Sequence, residues 1–321
     1  MKAVQFSKIG GPEVLELVDI PVPEPSADQV LIKVSAIGVN FSEVGRRRGS
    51  FPLPHGVSLP YVPGYECSGT IESCGGNVNS FKKGDRVLVR GYSSTYCEYT
   101  AVDASMVYKI PDDLDFIAAS GIAGAYSTAW QAVVKRGRLE KGETVLIQAC
   151  ASGVGIACVQ VAKYLGAHVI GTASTDEKLA WAMEMGVDVG INYSVKSFKD
   201  EVSRITSGKG VPIVIDGVGG DTFLDGLKCL SPDGRMVVYG VASGTRTANV
   251  TLPELWFTNL TVMGAGSSGL ASEEFQEVIN LVASGSLKMV VDKTWPLEQA
   301  AEAHKYLEDR QVRGKVVLTV S

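Results

Sequence analysis

The chain has 321 residues, 45% of them hydrophobic and 20% charged, with a mean hydropathy of +0.13; this balance excludes intrinsic disorder and gives room for two domains at roughly 100–200 residues each. A formal charge of −5 and a pI near 5.4 argue against a surface built to neutralise phosphate backbones, so nucleic acid is not an expected partner. Three histidines, and six cysteines (Cys67, Cys74, Cys97, Cys150, Cys158, Cys229) without a CxxC pair, exclude a zinc ribbon and a dense disulfide framework and point to the reducing cytoplasm.

Met1–Phe6 lacks the apolar stretch of a signal peptide, and no window approaches about 18 uninterrupted apolar residues, so no membrane segment is expected. From Met1 to about Ile122, short β-rich runs alternate with Gly, Pro and Ser: Gln29–Val34, Gly69–Ser73 and Asp85–Arg90. This pattern predicts a strand-rich barrel. From about Ala123 to Gly266 strands alternate with amphipathic helices, the pattern of a doubly wound parallel sheet. Strands are expected at Thr144–Gln148, His168–Ala173, Val189–Tyr193, Ile213–Asp216, Arg235–Tyr239 and Thr261–Gly264. Helices are expected at Val154–Leu165, Glu177–Met185, Phe198–Thr206 and Thr222–Cys229. The remainder predicts helices at Ser272–Ser284 and Glu298–Arg310 and a strand at Gly314–Val320. That strand needs a sheet, and the parallel one is complete, so the tail is expected to fold back onto the first segment.

Ala149-Cys150-Ala151-Ser152-Gly153-Val154-Gly155 follows the apolar run Val145-Leu146-Ile147 and opens a helix. Strand, glycine turn and helix N-terminus in that order suit a dinucleotide pyrophosphate, which meets backbone N–H groups and the positive end of the helix dipole. Ser152, Gly153, Val154 and Gly155 are the expected contacts. Ala149 and Ala151 stand near the first glycine positions of the usual GxGxxG, so a slightly wider turn is expected.

The end of the second parallel strand bears on which dinucleotide binds. NAD-binding folds place Asp or Glu there for the ribose 2′-OH. This chain has Ser174, with Lys178 one helical turn on and Tyr193 after the third strand. A hydroxyl, an ammonium and a phenol accommodate a 2′-phosphate that a carboxylate would repel, which favours NADPH. Ser174 and Lys178 also read as a helix cap and a solvated lysine.

With these residues in view, the chain resembles the medium-chain dehydrogenase/reductase superfamily, and within it the zinc-free quinone oxidoreductases typified by zeta-crystallin. The markers are Pro60-Tyr61-Val62-Pro63-Gly64-Tyr65-Glu66-Cys67-Ser68-Gly69, Phe81–Val87, Thr128-Ala129-Trp130, the Ala149–Gly155 loop, Asn192-Tyr193, Asp216–Gly220 and Gly314–Leu318. The likeness implies a Rossmann doubly wound parallel sheet plus a GroES-like β-barrel-type catalytic domain. The catalytic domain is expected at 1–122 and 267–321, and the Rossmann NADPH-binding domain at 123–266. Zinc-dependent relatives carry Cys where this chain has Asn40, Gly-His-Glu where it has Gly64-Tyr65-Glu66, and four closely spaced cysteines that it lacks. No metal site is expected.

The resemblance implies that Asn40 lines the nicotinamide and acceptor pocket, with Glu43 at the family's Asp position and Arg47 ahead of Gly49. Glu43 reads equally as half of a structural salt bridge, and Arg47 equally as a solvated or structural arginine. Positions that hold tyrosine in many relatives read Gly45 and Phe51, so the pocket is expected to be roomier at the first and more apolar at the second. The final proton is then expected from solvent or from Tyr65. Thr128, Val218 and the Tyr239-Gly240-Val241 turn are implied as cofactor contacts, Thr128 otherwise reading as a helix N-cap. Asp216 is expected to anchor the glycine turn that follows it. The implied function is an NADPH-dependent, zinc-independent reductase of quinones or small α,β-unsaturated carbonyls, since conjugated acceptors need less polarisation than simple ketones. Alternatives are an enoyl-thioester reductase of the same superfamily and a non-enzymatic NADPH-binding protein of crystallin or RNA-binding type. Dimerisation through the edge strand Leu260–Met263 is also implied.

Overall fold

The structure is a computed structural model that describes residues 1–91 and 94–321. It divides into two compact units: Met1–Gly124 with Ile279–Ala283 and Met289–Ser321, and Ala125–Val278 with Ser284–Lys288.

The first unit opens with β1 (Lys2–Gln5), β2 (Glu16–Asp19), β3 (Gln29–Val39), α1 (Phe41–Arg47), β4 (Glu66–Cys74), β5 (Arg86–Arg90), β6 (Tyr99–Asp103), β7 (Val107–Lys109) and α2 (Phe116–Ala119). Then α3 (Ile122–Trp130) leads into β8 (Thr144–Ile147), α4 (Gly153–Tyr164), β9 (His168–Ala173), α5 (Asp176–Glu184), β10 (Val189–Asn192), α6 (Phe198–Ile205), β11 (Val211–Asp216), α7 (Asp221–Leu227), β12 (Leu230–Val238), α8 (Leu252–Trp256) and β13 (Thr261–Gly264). The chain ends with α9 (Ser272–Ala283), β14 (Val291–Pro296), α10 (Ala300–Glu308) and β15 (Lys315–Thr319).

Among the described residues, the main sheet of the first unit runs β14-β15-β3-β4-β5-β7, with β6 also paired to β3. The tail does fold back: β15 pairs antiparallel with β3, setting Val316 opposite Val39 and Leu318 opposite Ile37. Alternate residues of β3 (Val30, Ile32, Val34) join Val87, Val102, Trp295 and Leu318 in one buried cluster. Each such side chain contributes roughly 1.5–3 kcal/mol over its exposed state.

The sheet of the second unit is parallel and ordered β10-β9-β8-β11-β12-β13. Its order reverses between β8 and β11, the switch point outside whose carboxyl ends ligands bind in such sheets. Near-continuous apolar strands are what a sheet covered on both faces requires. Leu146, Ile170, Val214 and Met236 are fully buried, with Phe198, Val202 and Leu227 of the helices packed on them.

The return to the first unit differs from the expected boundary at 267. Residues 267–278 belong to the second unit, where Lys135 Nζ bonds Glu274 at 2.6 Å and Phe275 and Val278 are fully buried. No helix among the described residues is long and apolar enough to cross a membrane.

Candidate active site

In the first unit, α1 starts at Asn40, whose φ/ψ of −119°/150° is extended. Glu43 sits three residues on, and its carboxylate accepts the Asn40 backbone N–H at 2.7 Å, satisfying a donor that the helix start leaves over. The same carboxylate accepts Tyr65 N–H at 2.9 Å and the Tyr96 hydroxyl at 3.1 Å. Glu43 is 1% exposed. Burial pushes its carboxyl up to about 7, against the pull of the Asn40 N–H and Lys315. Tyr96 also reaches His304 Nε2 at 3.0 Å; burial and the Arg47 charge push that imidazole down to about 3.

A second buried carboxylate, Glu66, lies beside this one. Glu66 Oε1 accepts Asn40 Nδ2 at 2.9 Å and Lys315 Nζ at 2.5 Å, while Oε2 accepts Gly124 N–H at 2.6 Å. Lys315 Nζ also donates to Asn40 Oδ1 at 2.7 Å. Sequence reasoning named Asn40 and Glu43 and missed Glu66 and Lys315. The available signal was a charge at the first position of each of two strands, Glu66 ahead of Cys67 and Lys315 ahead of Val316-Val317.

The other candidates of this unit lie differently. Arg47 is fully buried and not solvated; its guanidinium pairs with Glu308 at 2.7 Å and not with Asn40. Tyr65 is 7% exposed and meets Glu43 through its backbone. The extra room expected at Gly45 is absent. A Cβ built there would lie 2.1 Å from Phe51 Cδ2, because the Phe51 ring already fills the space.

In the second unit, the loop between β8 and α4 is built for close approach. Ala149 takes φ +50°, the left-handed conformation in place of an extra glycine, at a cost of roughly 1–2 kcal/mol for a residue with a Cβ. Gly155 allows α4 to pack on this turn, since a Cβ there would stand 2.2 Å from the Ala149 carbonyl oxygen. Ser152 caps α4 by accepting Gly155 N–H at 3.1 Å. Gly153 and Val154 complete the first turn, where backbone N–H groups and the dipole favour an anion. At the carboxyl end of β8, Gln148 Oε1 accepts the Thr172 hydroxyl at 2.6 Å, while its buried Nε2 has no protein partner.

Asp216 anchors its turn, accepting Val218 N–H at 2.7 Å and Gly219 N–H at 3.2 Å. The segment after β12 closes over that turn, with Ala242 N–H on the Gly217 carbonyl and Ser243 N–H on the Val218 carbonyl. A Cβ on Gly217 would meet the Tyr239 ring at 2.2 Å. The structure thus gathers Ser152, Gly155, Val218, Tyr239, Gly240 and Val241 at the switch point. Thr128 lies inside α3, so it is no N-cap. Nor is Ser174: Thr175 caps α5, accepting Lys178 N–H at 3.2 Å, while the Ser174 carbonyl takes the Ser194 hydroxyl. Ser174 and Lys178 are half-buried beside β9, and Tyr193, next after β10, is 43% exposed. The donors, glycines and orphaned Gln148 amide fit a dinucleotide.

Two family descriptions match the chain: Alcohol dehydrogenase GroES-like domain over residues 26–135 and Zinc-binding dehydrogenase over residues 153–284. Quinone oxidoreductase of Homo sapiens is 34% identical, covering 99% of this chain and 97% of that protein. The chain is a medium-chain dehydrogenase/reductase of the quinone oxidoreductase family. A 2-haloacrylate reductase of a Burkholderia species is 35% identical, covering 98% of each chain. The crystal structure of Escherichia coli quinone oxidoreductase complexed with NADPH superposes with a TM-score of 0.92 at 32% identity, covering 99% of this chain and all of that one. Membership makes the chain an oxidoreductase with a GroES-like domain and a Rossmann-type domain. Among its described residues, no group of three or more His, Cys, Asp and Glu is placed to hold a metal ion.

Proposed function

We propose that this quinone oxidoreductase family member uses NADPH to reduce quinones or small α,β-unsaturated carbonyls without zinc. The observation that carries the cofactor choice is the end of β9, where Ser174 and Lys178 stand in place of the carboxylate that would claim a ribose 2′-OH. NADPH-bound relatives support the same choice. When bound, NADPH supplies the hydride.

The remaining work falls to the chain's own residues. The α4 N-terminus, Gly153, Val154 and Gly155 bind the pyrophosphate, Lys178 and Tyr193 the 2′-phosphate, and Val218, Tyr239, Gly240 and Val241 the rest of the dinucleotide. Thr128 adds a contact near the nicotinamide. The acceptor is reduced at the Asn40 cluster, where Phe51 gives an apolar wall and the Asn40 amide a hydrogen bond to the developing oxyanion. Glu43 fixes the start of α1, and Arg47 ties its end to α10 through Glu308. The final proton comes from solvent. The chain works in the cytoplasm as a homodimer joined along β13, whose edge carries exposed Val262 beside exposed Trp256 and Phe257.

NADPH oxidation with 1,4-benzoquinone, 9,10-phenanthrenequinone and crotonyl-CoA, assayed side by side, tests this reading. Turnover of the quinones supports it. Turnover of crotonyl-CoA alone points to the enoyl-thioester reductases, and cofactor binding with no turnover points to a non-enzymatic role. Stoichiometric zinc by elemental analysis would refute the metal-free mechanism.

A further inference from the structure

Buried ion pairs are poor stabilisers, since desolvation of two charges offsets most of their attraction. The Lys315–Glu66 pair is almost wholly buried, with side chains 5% and 1% exposed, so its presence calls for another reason. The space around it is cleared by glycines. A Cβ on Gly38 would lie 2.6 Å from Glu66 Oε1, one on Gly124 2.5 Å from Asn40 Oδ1, and one on Gly121 2.9 Å from Lys315 Cγ.

The chemistry of the partners fixes which way the Asn40 amide faces. An ammonium has only donors, so it must meet Oδ1; an ionised carboxylate has only acceptors, so it must meet Nδ2. One Nδ2 hydrogen is taken by Glu66 at 2.9 Å. The other makes only a 3.4 Å contact with the Gly38 carbonyl, beyond the normal hydrogen-bond range.

We propose that Lys315 is a positioning residue for the reduction: it holds the Asn40 carbonyl oxygen and balances Glu66, so that Asn40 presents its second amide hydrogen to the oxygen of the acceptor as charge develops there. The inference rests on the proposed reduction at the Asn40 cluster. Without the ammonium, the amide is free to turn, and an uncompensated carboxylate repels the developing oxyanion.

The test is a double-mutant cycle on kcat for a quinone, with NADPH affinity and thermal stability measured in parallel. Asn40→Ala lowers kcat by about 10²-fold, the usual effect of deleting one oxyanion donor. Lys315→Met lowers it comparably with NADPH affinity unchanged, and Asn40→Ala/Lys315→Met loses no more than Asn40→Ala alone. Losses that multiply, or a wild-type kcat in Lys315→Met, overturn the proposal. If Lys315→Met does not fold, Lys315→Met/Glu66→Gln removes both charges together. It is expected to fold and stay slow, and a wild-type kcat there overturns the proposal. Nuclear magnetic resonance of the Asn40 side-chain amide gives a readout independent of any acceptor. Wild type is expected to show one slowly exchanging hydrogen, the one bonded to Glu66, and one that exchanges faster; in Lys315→Met the protected hydrogen is expected to shift and to exchange faster, and an unchanged pair overturns the inference. Wild-type enzyme that reduces no acceptor refutes the functional reading instead, and the amide spectrum then decides the role of Lys315.

Discussion

The Phe51 ring stands over the bare backbone of Gly45, so close that a Cβ on Gly45 would lie 2.1 Å from Phe51 Cδ2. In an open helix, Gly→Ala stabilises by about 0.5–1 kcal/mol. Here the ring must shift to admit the methyl group, a cost of about 1–3 kcal/mol. Gly45→Ala is therefore expected to be no more stable than wild type, and to change KM for a bulky quinone several-fold. Gly45→Ala/Phe51→Ala is expected to recover the helix gain. Thermal melts and acceptor kinetics of both variants check this.

Lys178→Ala removes the ammonium assigned to the 2′-phosphate. Hydrogen bonds to charged groups contribute about 1.5–3 kcal/mol, so the NADPH-over-NADH preference in kcat/KM should fall by about tenfold or more. Paired kinetics with the two cofactors measure it, and an unchanged ratio removes Lys178 from the phosphate site.

Gly155→Ala puts a methyl group against the Ala149 carbonyl, a backbone atom with no rotamer to yield. The helix must move away from the turn. NADPH affinity, followed by nucleotide fluorescence, is expected to drop by about tenfold or more at a stability cost of about 1–3 kcal/mol, while Gly166→Ala serves as a control remote from the loop.

Two buried groups give stability opposite pH slopes. Glu43, raised from 4.5 to about 7, binds more protons folded than unfolded, so its contribution is fully present below 4.5 and is lost as pH rises through 7. His304, lowered from 6.5 to about 3, binds fewer protons folded, so its contribution is present above 6.5 and is lost as pH falls through 3. The slopes oppose each other between about 4.5 and 6.5, where these two groups leave wild-type stability nearly level. Glu43→Gln removes one of them. Urea titrations from pH 4 to 8 should then show stability rising up to about 6.5 and levelling off. A flat profile in the variant contradicts the assignment.

Val262→Lys places a charge on the exposed edge of β13, where a second copy of the strand would pair. Sedimentation is expected to change from dimer to monomer with the fold intact. A dimer that survives the substitution points to another interface.

The parallel sheet was legible because its strands carry their own evidence: His168–Ala173 and Thr261–Gly264 have the bounds that their apolar patterns predict. A local signal also located the Asp216 turn. The capping role weighed for Ser174 went instead to Thr175, because two adjacent hydroxyls compete and only backbone geometry selects between them. The filled space at Gly45 was illegible, since it depends on a ring six residues away folding back over the helix. Glu66 and Lys315 were missed for a related reason. They are 249 positions apart, and a lone charge in a strand reads as solvent-facing until the opposite charge is brought to it.

That separation also sets a schedule during synthesis. The second unit is almost continuous in sequence, whereas the first is split around it. At about 5–20 residues per second, the ribosome needs roughly ten to fifty seconds between Glu66 and Lys315. For that interval the nascent first unit holds Glu43 and Glu66 without their cation and β3 without β15. The second unit therefore has time to fold before the first can complete its sheet.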